Sequence, residues 1–276
     1  MTNGDFAWSE AENELSEIDT SVPHSARIWN YWLGGKDNFP VDQAAGDEYV
    51  RTFPGILDIA RLTRGFLKRS VRFLAGERGI RQFLDVGTGL PTVDNTHEVA
   101  QRVAPDARVV YVDNDPLVLA HAHALLTGTS EGATDYVDAD MHAPERILEA
   151  AERTLDLSRP VGLTFMGVLG HVTDDDEARR IVGALMDGLA PGSHLAVCDG
   201  YAVASPEFAA AQQGYDEGGS VPYKLRDGEQ IATFFTGLEL LPPGLVAASE
   251  WRPETEPVGE PPQVQPLGGI GMKHAR

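Results

Sequence analysis

The chain has 276 residues, 42% of them hydrophobic and 23% charged, which is enough to bury one large core. Its 42 acidic residues against 22 basic ones leave a formal charge of -20, which repels phosphate backbones and anionic membranes, so neither nucleic acid nor membrane is expected as a partner. A single cysteine, Cys198, excludes an intrachain disulfide framework, and the absence of a secretory-type opening or a long apolar run points to a cytoplasmic protein.

Residues 1–22 read as a solvated, disordered tail, because TNGDFAWSEAENELSEID holds six acids and no base. Residues 23–79 differ in kind. They open on PHSARIWNYWLGGKDNFPVD (23–42), where Trp29, Tyr31, Trp32 and Phe39 are interleaved with Gly34, Gly35 and Lys36. That much turn chemistry does not read as a simple helix face. GILDIARLTRGFLKRSVRFLAGE follows, with Ile59, Leu62, Phe66 and Phe73 on one helical face and Leu67, Val71 and Leu74 beside them, the pattern of an amphipathic helix.

From residue 80 to 276 the pattern alternates. RQFLDVG, ARVVYVDND, ATDYVDAD, PVGLTFMGV and SHLAVCDG are short β-rich runs, and DNTHEVAQRVA, PLVLAHAHALL and DEARRIVGALMDGLA between them have helical length and period. Strands alternating with helices predict a parallel sheet covered on both faces. Two further strands are expected in LELLPPGLVAASEW and PLGGIGMKH, separated by a loop of ETEPVGEPPQVQP composition.

In such a sheet ligands bind beyond the carboxyl ends of the strands. The first strand ends in Asp85, Gly87, Thr88 and Gly89, where glycines allow close backbone approach to a ligand. Half of such turns are purely structural, and Pro91 stands near where a dinucleotide fingerprint has its third glycine. The second strand ends in Asp113 and Asn114, 28 and 29 positions after Asp85, where a carboxylate can accept both hydroxyls of a ribose. The third reaches Asp140 and Met141, an acid able to accept from an adenine amino group beside a side chain suited to pack on its ring. No metal-type Cys/His spacing occurs.

These stretches resemble the Rossmann-like S-adenosylmethionine-dependent methyltransferases over about residues 80–200. With PHSARIWNYWLGGKDNFPVD, LPTVDNTHEVAQ, PYKLRDGEQIATFF and LLPPGLVAASEWRPE, the chain from Pro23 onward is similar to the S-adenosyl methyltransferase family of domain-of-unknown-function type. The resemblance implies an α/β fold with a seven-stranded, mostly parallel sheet whose last strand is antiparallel. It implies S-adenosylmethionine as cofactor and a small-molecule methyl acceptor of unidentified kind. Asp85, Gly87 and Gly89 would surround the methionine part, Asp113 would hold the ribose, Asp140 and Met141 the adenine, and Met166 and Gly167 would line the pocket.

Residues 23–42 would then form a lid, with Tyr31, Trp29 and Trp32 offering π-faces to the sulfonium or adenine. His171 is the candidate catalytic residue, a general base with a pKa near neutrality, although a packing role competes with that reading. Asn95 and His97 are candidates for either ligand contact or helix capping, and His121, His123 and Cys198 read as structural. Acceptor identity is expected in residues 200–225, an insertion holding Tyr201, Tyr215 and Tyr223. Two other readings stand beside a methyltransferase: a cofactor-binding sensor or scaffold without turnover, and an NAD(P)-dependent oxidoreductase, against which Asp140 and the missing third glycine both speak.

Overall fold

A computed structural model describes residues 19–118, 128–201, 205–218, 221–254 and 260–275. The acidic stretch 1–18 and the histidines at 121 and 123 lie outside the described residues, as does most of the helix expected over 116–126. Of the expected tail, residues 19–22 are exposed, yet they are fastened: the Arg27 guanidinium donates to the carbonyls of Asp19 and Val22.

Three helices precede the sheet: α1 (Ser25–Trp32), α2 (Pro40–Thr52) and α3 (Ile56–Gly76). The sheet is built from β1 (Gln82–Val86), β2 (Arg108–Asp113), β3 (Ala133–Asp138), β4 (Gly162–Met166) and β5 (His194–Asp199), all parallel. The antiparallel β8 (Leu267–Met272) continues it beyond β5, in the order β3-β2-β1-β4-β5-β8-β6. Helices α4 (Thr96–Val103), α5 (Pro144–Ala151) and α6 (Asp175–Asp187) connect the strands, and α7 (Pro206–Glu217) and α8 (Gly228–Ala232) follow β5. The expected strand in LELLPPGLVAASEW is two short pieces, β6 (Glu239–Leu240) and β7 (Val246–Ala247), which pair with opposite ends of β8. Pro242 and Pro243 lack the N–H groups a continuous ladder needs, and Gly244 turns the chain with φ of 99°. The sheet therefore has eight strands where seven are expected.

Every residue of β1 and β5 is buried, as both faces of a parallel sheet require. Alternate residues serve different cores. Leu84, Val86, Val110, Leu163 and Leu195 pack with Ile147, Ile181 and Phe234 on one side, and Phe83, Val109, Ala196 and Ile270 pack with Phe66, Val71, Val99 and Trp251 on the other. Cys198 is fully buried in the second core. A third cluster joins α1, α2, α3 and α7 through Ile28, Trp32, Tyr49, Phe53, Ile59 and Phe208. Among the described residues no helix is long and apolar enough to cross a membrane.

Candidate ligand-binding site

The carboxyl ends of β1 to β4 and one face of α1 enclose a cavity of about 370 Å³, within the ~300–1,000 Å³ usual for small-molecule sites. Asp85, Gly87, Thr88, Gly89, Asp113, Asn114, Asp140, Met141, Met166, Gly167 and His171 all line it. Gly87 and Gly89 adopt φ of 70° and 64°, a region that disfavours side chains. A Cβ on Gly87 would lie 2.2 Å from Val168, whereas one on Gly89 would meet open space. The first glycine lets two strand ends touch, and the second keeps backbone bare toward the cavity.

Asp113 is held by the chain itself. Its Oδ2 accepts from the Gly89 N–H at 2.8 Å, and its Oδ1 accepts from Asn114 and Asp115 at 2.9 and 3.1 Å. Burial pushes its pKa up, opposed by those backbone donors. Asp85 is buried deeper, with each oxygen occupied: Thr96 Oγ1 donates at 2.6 Å and Thr164 Oγ1 at 2.7 Å, fastening β1 to α4 and β4. Burial raises its pKa, with the Arg64 guanidinium opposing. Asp140 is exposed, and its Oδ1 faces the His142 N–H and Nδ1 at 2.9 and 2.6 Å.

Tyr31 is a correction: it does not line the cavity, and its hydroxyl donates to Asp47 at 2.7 Å. The first part of the 23–42 stretch is helical, from Ser25 to Trp32, and the glycines follow it. On a helix, positions 26, 29, 30 and 33 share a face and 31 points away. Ala26, Trp29, Asn30 and Leu33 duly line the cavity, together with His24, whose Nδ1 meets Asp115 at 2.8 Å. Asn95 and His97 stay outside its lining as well. Asn95 Oδ1 accepts from Thr92 and Arg64, and His97 Nδ1 sits 2.7 Å from the Tyr111 hydroxyl.

Arg64 and Thr63 were not singled out by the sequence reading. Both line the cavity, on the face of α3 that carries Ala60 and Leu67. The signal was available, since a polar pair interrupts an otherwise apolar helical face at the spacing of the buried residues. The hydrogen bonds of Arg64 to Val93 and Asn95 use Nε and Nη2.

A second, smaller space of about 30 Å³ adjoins the first. Its walls include Trp32, Tyr49, Ile59, Phe208, Gln212, Tyr215, Tyr223 and Leu225, and it shares Trp29, Thr63, Gly167 and His171 with the larger cavity. Those four residues form the junction. His171 ends a 3-10 turn (Leu169–His171) that the fully buried Arg226 holds by donating to the carbonyls of Leu169 and Val172 and to Asp175. His171 Nδ1 lies 3.0 Å from the Pro222 carbonyl oxygen, and its ring stands edge-on to Tyr223 at 5.0 Å. Burial lowers its pKa below 6.5. Behind it, the Tyr223 hydroxyl donates to Asp199, whose pKa burial raises to about 6.

Residues 11–274 match the protein family described as S-adenosyl methyltransferase. A DUF574 family protein from Streptomyces avermitilis is similar in structure with a TM-score of 0.89 and 44% identity, over 93% of this chain and 100% of that one. A candidate methyltransferase from Thermobifida fusca is similar at a TM-score of 0.86 and 43% identity, over 93% and 97% of the two chains. No curated protein sequence matches.

Proposed function

The chain belongs to the S-adenosyl methyltransferase family, whose cofactor is S-adenosylmethionine, and from that premise we propose that it is an enzyme transferring the cofactor's methyl group to a small-molecule acceptor at the junction of the two cavities. The junction carries the reading. Among the described residues the large cavity and the smaller one share Trp29, Thr63, Gly167 and His171, so a donor in one and an acceptor in the other would face each other there.

The residues of the larger cavity fit the cofactor. Asp113, fixed by three backbone donors, retains one lone pair on Oδ2 for a ribose hydroxyl. Asp140 accepts from the adenine amino group, and Met141 packs on the ring. Arg64, a cationic side chain in a strongly acidic protein, pairs with the methionyl carboxylate through the nitrogen its internal bonds leave over. Trp29 turns an aromatic ring toward the place of the sulfonium.

When bound, the cofactor supplies an electrophilic methyl group on sulfur, so the protein's task is alignment and exclusion of water. The α1 face lies over the strand ends and shields part of that space from solvent. His171 accepts the acceptor's proton at Nε2, because a carbonyl at Nδ1 requires the ring proton there. A crystal structure with S-adenosylhomocysteine tests the reading: the ribose is expected on Asp113 and the sulfur at the junction. Sulfur directed away from His171 and Gly167 would remove it.

A further inference from the structure

We propose that the small aromatic chamber is the acceptor's binding site and that its acceptor is a single-ring, planar, uncharged molecule bearing a hydroxyl or amino group. The inference rests on the methyltransferase reading above and adds to it the class of acceptor.

The walls decide the class. Trp29, Trp32, Tyr49 and Tyr215 form a chain of edge-to-face contacts, with centroids 5.7, 5.2 and 5.8 Å apart, closed by Ile59, Phe208 and Leu225. Edge-to-face packing leaves ring faces available, and a flat aromatic guest is what such faces receive best. Among the described residues no lysine, arginine, aspartate or glutamate lines the chamber. Two carboxylates stand behind its wall, where Asp199 accepts from Tyr223, and Asp216 accepts from Gln212 Nε2 at 2.8 Å and from the Tyr223 N–H at 3.1 Å; the Arg226 guanidinium, also behind it, is engaged by the carbonyls of Leu169 and Val172 and by Asp175. A carboxylate or phosphate guest would thus meet apolar walls with no cation among the described lining residues to offset its desolvation.

The polar groups that do face inward are few and directional. His171 stands at the junction, and the Tyr49 hydroxyl donates to Gln212 Oε1 at 3.1 Å on the far wall. A guest with its nucleophilic group toward His171 keeps its ring among the aromatics. Size supplies the last restriction. About 30 Å³ is room for roughly two waters, so even one ring enters only as the half-buried Tyr215 and Leu225 give way, and a fused or branched skeleton demands a larger displacement.

Saturation-transfer NMR and calorimetry on the full chain loaded with S-adenosylhomocysteine test this, with phenol as the probe. Benzoate, benzylamine and cyclohexanol serve as anionic, cationic and non-planar matches. Phenol is expected to bind at least tenfold more tightly than each of them. Ile59→Phe, which fills the chamber from α3 without touching the larger cavity, should weaken phenol at least tenfold and leave S-adenosylhomocysteine affinity within twofold. Leu225→Phe, at a half-buried position with room to relax, should do the same if Ile59→Phe folds poorly. Benzoate or benzylamine binding as well as phenol, or phenol affinity unmoved by a folded filling variant, overturns the proposal. Failure of S-adenosylhomocysteine itself to bind would instead overturn the cofactor reading, while its binding without any phenol signal overturns this inference alone.

Discussion

Nδ1 of His171 stands 3.0 Å from the carbonyl oxygen of Pro222, a residue 51 positions further along the chain. That contact sets the imidazole's tautomer and leaves Nε2 as the basic nitrogen. Burial lowers the His171 pKa below 6.5, so the ring is neutral and able to take a proton at pH 7. Acidification through that pKa charges the ring and removes the base. The turnover rate should therefore fall on the acid side below pH 6.5 and stay level above it. His171→Gln should lower kcat by roughly 10²–10⁴ and abolish this acid limb, with S-adenosylhomocysteine affinity changed little. A pH–rate profile identical to that of the unaltered protein would assign the limb to another group.

Asp113→Ala removes the acceptor for a ribose hydroxyl. Calorimetry should show cofactor affinity weakened by about 1.5–3 kcal/mol, the range for hydrogen bonds to a charged group. Asp113→Asn keeps the shape and should fall between the two. Unchanged affinity in Asp113→Ala would cancel the ribose assignment.

Arg64→Met tests the carboxylate end separately. S-adenosylhomocysteine should lose about 1.5–3 kcal/mol, whereas 5′-methylthioadenosine, which has no carboxylate, should bind the variant and the unaltered protein equally. Equal losses for both ligands would mean that Arg64 only supports the cavity wall through Val93 and Asn95.

The aromatic cover is best tested at a single residue, since Ile28 and Trp32 are core residues whose removal would disturb more than the site. Trp29→Ala should weaken S-adenosylhomocysteine at least tenfold, about 1.4 kcal/mol. Tyr31→Phe should have no effect on it. Deleting residues 1–18 should change neither binding nor folding. A Tyr31→Phe effect as large as that of Trp29→Ala would contradict the helical phase of α1.

His194 lies at the start of β5, where burial and the charge of Arg78 lower its pKa to about 4. Between pH 6.5 and 4 the unfolded chain takes up a proton that the folded chain refuses, so folding stability drops on acidification across that window and is unaffected above it. The drop is on the order of 3 kcal/mol. Urea unfolding at stepped pH should show it, and His194→Gln should remove this part of the slope.

The strand-end acids were legible because each sits at the boundary between a β-rich run and a turn, a local pattern that Asp85, Asp113 and Asp140 all show. The choice between Trp29 and Tyr31 was not, since the helical period tells which residues share a face but not which face docks on the strand ends. Arg64 was hidden by the expectation that an amphipathic helix buries only apolar side chains. Of the second chamber one wall was legible, since Tyr215 and Tyr223 lie in the insertion at 200–225; the opposite wall was not, because Tyr49, hydrogen-bonded to Gln212, is 163 positions away from it. Pairing of β6 and β7 with one strand was likewise beyond reach of composition, although the Pro242-Pro243 break that divides them was visible.

Gly87 lends its missing side chain's space to Val168, so the floor under the donor and the turn carrying His171 behave as one machined part. Enlarging either residue would shift both. If the small chamber holds the acceptor, changing what this protein accepts is therefore best attempted on the α7 wall, where Phe208, Gln212 and Tyr215 can be varied like an interchangeable tool holder around a fixed spindle.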